Sequence, residues 1–207
     1  EEGSPQSLKE EEIKETLGYT LYEYGKLIPA VKPPSVWFPH TLMGISTSDV
    51  LLVDKDAFGP IEGQFLIGDQ GHSKIMRVLQ EKVNNTCFGF REGFSSGILR
   101  MIWGPEDDIY VGMTSRGWSS TGKAPFGLER LIAKGKAPFE MQKIEAQPDG
   151  FLITFTEKVD PSTAADPASY QITDFTYRYH HIYGSPPINQ ESKSLHHVML
   201  GEDGMSA

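Results

Sequence analysis

At 207 residues the chain suits one or two domains, and with 38% hydrophobic and 11% aromatic residues it has the makings of a packed core rather than of a disordered polymer. A net charge of −9 without a clustered surplus of Lys and Arg argues against nucleic acid as the main partner. Cys87 is the single cysteine, which excludes an internal disulfide, a haem-attachment motif and a cysteine-rich zinc site, and no apolar run approaches the length of a membrane span.

Residues 1–31 are charged, and the spacing of Leu8, Ile13, Leu17, Leu21 and Tyr24 predicts one short amphipathic helix. Ser7 with Glu10 has capping-box spacing, and Lys32-Pro33-Pro34 stops the helix. Nothing else in the chain offers it a partner.

Residues 32–137 carry a repeat. Gly59-Pro60 leads through Phe65-Leu66-Ile67-Gly68 to Arg77-Val78, and Gly104-Pro105 leads through Ile109-Tyr110-Val111-Gly112 to Arg130-Leu131. Each copy follows a small-residue turn and a hydrophobic strand: Gly44-Ile45-Ser46 before Val50–Val53, and Gly93-Phe94-Ser95 before Ile98–Ile102. A period of about 45 residues built of short strands and glycine turns is that of a β-propeller blade. The fold expected is therefore all-β, with a partial propeller of about two blades. Two blades cannot close a ring, so their outer faces need further blades or another cover, and the isolated segment is expected to be poorly stable.

Residues 138–207 change in grammar. Phe139–Ile144, the turn Pro148-Asp149-Gly150 and Phe151–Phe155 predict a hairpin. A polar connection with a helical turn follows from Asp160, then a strand from Tyr170 to Tyr177 and another at Val198-Met199-Leu200, with Glu202-Asp203-Gly204 as a turn whose return strand is missing. This reads as the start of a truncated, Ig-like β-sandwich.

The blade loops gather polar side chains. Asp69, Gln70 and His72 follow one strand; Thr114, Ser115, Arg116 and Trp118 follow its equivalent; Arg91, Glu92, Ser95 and Ser96 precede another. Rings beside hydroxyl, carboxylate and guanidinium groups suit a sugar, whose faces stack and whose hydroxyls need donors and acceptors. The same residues also serve as turn chemistry, with Trp118 packing between blades. Asp69 with His72 can orient a general base or ligate a metal, and equally can be a loop pair. Glu106-Asp107-Asp108 reads as a tight turn, Asn84-Asn85-Thr86 as a hairpin turn rather than a glycosylation acceptor, and the cluster from Tyr177 to Tyr183 as packing.

Pro34–Pro39, Gly63–Gln70, Phe90–Phe94 and Gly112–Trp118 resemble the later blades of glucose/sorbosone dehydrogenase-like propellers, and Asp149–Tyr183 resembles the Ig-like domain that follows them. The resemblance implies a secreted bacterial protein, periplasmic or extracellular, whose parent oxidises a sugar or related alcohol and passes electrons to a quinone or to a c-type cytochrome. The alternative is a non-catalytic propeller module that binds carbohydrate or other protein domains. In the wider family pyrroloquinoline quinone binds with calcium, its carboxylates held by a lysine and paired arginines. Those positions fall near Gly71, Gly97 and Leu99, and none is basic here. The family's catalytic histidine lies in an earlier blade, so no catalytic residue is assigned; Asp69, His72, Arg91, Arg116 and Trp118 are the ligand-binding candidates, and no metal site is assigned.

Overall fold

A computed structural model describes residues 19–30, 32–82, 85–135, 138–178, 184 and 187–207. The fold is mostly β. Strands β1 (Thr47–Leu52), β2 (Phe65–Asp69), β3 (Lys74–Gln80) and β4 (Asn85–Arg91) form a four-stranded antiparallel meander, and β5 (Ile98–Trp103), β6 (Ile109–Thr114) and β7 (Phe126–Leu131) a three-stranded one. These are two consecutive blade-like sheets, and they do not close a ring among the described residues.

The repeat is exact in register. Leu66 pairs with Arg77 in the first sheet and Tyr110 with Arg130 in the second, and the first strand of each carries a bulge near its start, between Thr47 and Val50 and between Ile98 and Arg100. Equivalent backbone bonds close both: Gln70 N donates to Ser46 O at 2.9 Å, and Thr114 N to Gly97 O at 2.8 Å.

Alternation gives each sheet two apolar faces. Leu51, Val53, Leu66 and Ile75 of the first sheet pack against Ile98, Met101, Ile109, Val111 and Met113 of the second, forming the main core. The opposite face of the first sheet, with Ile67, Met76 and Val78, is covered by Val36, Phe38 and Met43. A loop segment thus takes the place of a preceding blade, so one of the two faces expected to lie bare is largely sealed within the chain. Cys87 lies at that seam, 3.5 Å from the Trp37 carbonyl, and burial pushes its thiol pKa up, as befits a small packing residue.

Where the sheets splay apart, the hairpin β8 (Met141–Gln147) and β9 (Gly150–Phe155) fills the wedge over the first sheet. It is locked there by Arg77, of which 1% is exposed. The guanidinium donates to Gln64 Oε1 at 2.9 Å, to Met141 O at 2.6 Å and to Gln142 O at 3.2 Å, and lies 4.1 Å over the Phe88 ring. Burial lowers its pKa from the ordinary arginine value, and Glu140, 3.5 Å away, opposes that shift. In the second sheet Asp108 stands where Gln64 stands and accepts from Arg130.

After the hairpin come a short helix, Pro161–Ala164, capped by Asp160, a 3₁₀ turn at Pro167–Ser169, and the antiparallel pair β10 (Ile172–Thr176) and β11 (Ile188–Lys193). The described part of the sandwich region thus comprises two separate two-stranded sheets. Val198–Leu200 is not a strand. The turn at Glu202–Gly204 instead delivers Met205–Ala207 to the free edge of β9, where Ile153 and Ala207 exchange backbone bonds of 2.8 and 3.0 Å. The signal at Val198-Met199-Leu200 was hydrophobicity without a neighbour to pair with; Leu200 packs its side chain beside Phe155 and Val159.

Helix α1 is Leu21–Leu27, opened by a capping box of Thr20 and Glu23; the remainder of the predicted helix, including Ser7, lies outside the described residues. Contrary to the expectation from sequence, α1 has a partner. Leu21 N donates to Tyr177 O at 3.1 Å, Thr20 bridges Arg178, and Trp37 stacks on Tyr177 with centroids 4.4 Å apart. The strand after the hairpin therefore reaches back to the N-terminal segment.

Arg77→Ala would strand Gln64 and two carbonyls, so a loss of about 3 kcal/mol in urea-induced unfolding is expected; Arg77→Lys, lacking the planar fork, should recover less than half. Burial pushes the Tyr177 phenol up to about 12 from 10. The folded chain holds that proton more tightly than the unfolded one, so stability is complete below pH 10 and declines between 10 and 12. Phenolate absorbance of Tyr177→Phe against the parent chain checks it: the variant should lack the latest-titrating component.

Candidate functional site

Two places collect functional groups, and the five sequence candidates divide between them. Four sit at the loops that join equivalent strands. Asp69 is fully buried and its carboxylate is saturated by the turn: it accepts from Ile45 N at 3.0 Å, Ser46 N at 2.7 Å and His72 N at 2.7 Å. His72 Nδ1 lies 3.7 Å from Asp69 Oδ2, beyond hydrogen-bond reach, and finds no hydrogen-bond partner among the described residues. Asp69 is thus a clasp for the turn that enters β1, and only the imidazole is left facing the loop.

The second loop packs on the first. Gln70 Nε2 donates to Thr114 O at 3.3 Å, Thr121 N to Gly71 O at 2.9 Å, and Gly122 N to Ser73 Oγ at 2.9 Å. Arg116 and Trp118 ride on this joined loop pair, both exposed, with Arg116 N bonded to Thr114 Oγ1 at 3.0 Å. These bonds join the loops that follow β2 and β6.

Arg91 lies elsewhere. At the end of β4, it lines a cleft of about 730 Å³ between the splayed sheets and the hairpin, walled by Phe58, Phe90, Leu131 and Phe139 and rimmed by Arg91 and Glu140. Its guanidinium is 5.0 Å over the Phe90 ring and 3.6 Å from Glu140 Oε1. Phe139 stacks on Phe155 at 5.4 Å, and Phe58 meets Phe90 at 6.3 Å, so the aromatic walls are held by their own contacts. Sequence reading missed Phe58, Phe139 and Glu140 because they come from two segments, each remote in sequence from Arg91. The one signal available was the change of grammar near Phe139, which marks where a new element begins and hence where a cleft between elements forms.

The positions implied for quinone carboxylates do not fit that group. A Cβ on Gly71 would lie 2.7 Å from Ile45 Cβ, and one on Gly97 would lie 2.4 Å from the Gln70 carbonyl. Neither has room for any side chain, and the third is the apolar Leu99. No group of three or more His, Cys, Asp or Glu side chains with metal-holding geometry occurs among the described residues. Glu106-Asp107-Asp108 forms the tight turn expected, with Asp107 at φ 57° and Asp108 paired to Arg130, which holds its carboxyl below the usual range. His180, His181 and Asn84 lie outside the described residues.

Fold and site together define an all-β protein of repeated antiparallel meanders with a cleft between two of its elements. No family model, curated protein or solved structure matches the chain. No helix among the described residues is long and apolar enough to cross a membrane.

Asp69→Ala should lower stability by about 3 kcal/mol, since three backbone donors lose a charged acceptor. The measurement is hydrogen exchange at Ile45, Ser46 and His72. Unchanged protection there would show that the carboxylate is not what holds the turn.

Proposed function

We propose that the chain is a non-catalytic binding module and that the cleft beside Arg91 takes a small ligand with an apolar face and a polar rim, of the carbohydrate class. The observation that carries this reading is the cleft itself. Its volume of about 730 Å³ falls within the range of small-molecule sites, and its phenylalanine walls sit beside one guanidinium and one carboxylate. A pyranose ring can stack on the exposed face of Phe139 while its hydroxyls donate to Glu140 and accept from Arg91.

An oxidative role finds less support, because the residues nearest the implied cofactor positions are two close-packed glycines and a leucine. The loop pair carrying His72, Arg116 and Trp118 is the second place where a sugar could rest, favoured by the joined loops and by the 42% exposure of Trp118.

Titration of the isotopically labelled chain with neutral mono- and disaccharides tests the proposal. Amide shifts should cluster at Phe58, Phe90, Arg91 and Phe139, and Arg91→Ala should weaken binding about tenfold, the worth of one charge-assisted hydrogen bond. Shifts confined to the loop bearing Trp118 would move the site there, and no shifts with any sugar would end the carbohydrate reading.

A further inference from the structure

One wall of the cleft depends on a residue that is neither aromatic nor charged. Phe139 stands between Pro138 and Glu140, just ahead of β8, and is 55% exposed. A side chain that open is not fixed by burial. Two consecutive residues at the far end of the hairpin hold it instead. Phe155, the last residue of β9, is buried and stacks on one face of the Phe139 ring, with centroids 5.4 Å apart and planes 6° from parallel. Thr156 grips the backbone on both sides of that ring. Its Oγ1 accepts from Glu140 N at 2.9 Å and donates to Pro138 O at 2.6 Å, and its own N donates to Glu140 O at 2.9 Å.

The hydroxyl is used in both directions at once, as donor and as acceptor, and β-branching restricts the rotation that would break either bond. Regular pairing cannot do this work, because the hairpin ladder shifts register between Met141 and Lys143, beside its last pair, Met141 with Phe155. Without the hydroxyl, Pro138 O and Glu140 N both lose a partner, and only the bond from Thr156 N to Glu140 O is left to the segment that carries the ring. The Glu140 carboxylate has its own supports, Arg77 at 3.5 Å and Arg91 at 3.6 Å. What Thr156 controls is therefore the ring.

We propose that Thr156 is a positioning residue of the cleft, holding Phe139 where one face of its ring lies on Phe155 and the other is open for a ligand to stack on. This rests on the carbohydrate reading of the cleft and assigns the geometry of its stacking surface to a hydroxyl that itself lies at the lining.

Two measurements on the full chain test it, one without ligand and one with. Without ligand, the Glu140 amide should exchange roughly tenfold or more slower than in an unstructured peptide. Thr156→Val should remove that protection and move the Phe139 ring resonances, while Thr156→Ser keeps both. With methyl β-glucoside and cellobiose as probes, Thr156→Val should weaken binding about fivefold and Thr156→Ser by under about twofold; in a Phe139→Ala background the Thr156→Val change should cost under about twofold, since the ring it positions is gone. A Glu140 amide that exchanges freely in the parent chain overturns the proposal without any variant, and Phe139 resonances unmoved in Thr156→Val overturn it whether or not a sugar binds. Binding undiminished in Thr156→Val does the same. So does a fivefold loss that persists in the Phe139→Ala background, because Thr156 would then act on the fold at large. Should neither sugar bind the parent chain, the carbohydrate reading fails, and the ligand-free response alone decides whether Thr156 places the ring.

Discussion

A buried guanidinium is costly unless its donors are occupied, and Arg77 occupies its two terminal nitrogens through residues far apart in sequence, while its Nε finds no hydrogen-bond partner among the described residues. Gln64 comes from the turn before β2, and the carbonyls of Met141 and Gln142 come from β8. The first sheet and the hairpin must therefore sit against each other in one arrangement, since any slip would leave a charge without partners in a low-dielectric interior. A cleft opens beside that hairpin, walled by Phe90 of the first sheet, Leu131 of the second and Phe139 before β8. Glu140, which balances the charge of Arg77, also reaches Arg91 at the rim. Structure and candidate site consequently share one carboxylate.

The second sheet solves the same problem differently. Arg130 occupies the place of Arg77 but has no hairpin above it; its side chain is 38% exposed and is neutralised by Asp108 and Glu106. These hydrogen bonds hold the guanidinium pKa above the ordinary arginine value, the reverse of what burial does to Arg77. A neutral glutamine stands where backbone carbonyls and Glu140 also face the guanidinium, and a carboxylate stands where solvent takes their place. One repeat position thus reads out whether its sheet face is covered.

The loops and the cleft are separate surfaces built on the same meanders. Loop residues that read as ligand contacts are largely occupied by the chain itself, Asp69 most completely, because turns entering bulged strands present backbone donors that must be satisfied. The cleft is lined instead by side chains whose neighbours in sequence are unremarkable. The cleft falls where separate elements meet, and turn chemistry falls where strands begin.

From the sequence alone follow the all-β class, the hairpin at Pro148-Asp149, the helical turn after Asp160 and the repeated order of small-residue turn, hydrophobic strand and Gly-Pro. These rest on local signals: alternation along strands, turn residues, and a spacing that recurs. The sequence also excluded basic residues at Gly71 and Gly97, although only packing shows that no side chain fits there. What the tertiary structure decided is everything that depends on which distant segments meet. Helix α1 finds Tyr177, Met205–Ala207 finds the free edge of β9, and Val36–Met43 covers a face that the repeat leaves open. Arg91 parts from Asp69, His72, Arg116 and Trp118 although all five read alike as loop polar groups, because β4 ends beneath the hairpin while the other four stay on the joined loops. Periodicity records which side of a strand a residue faces, but not what stands opposite it.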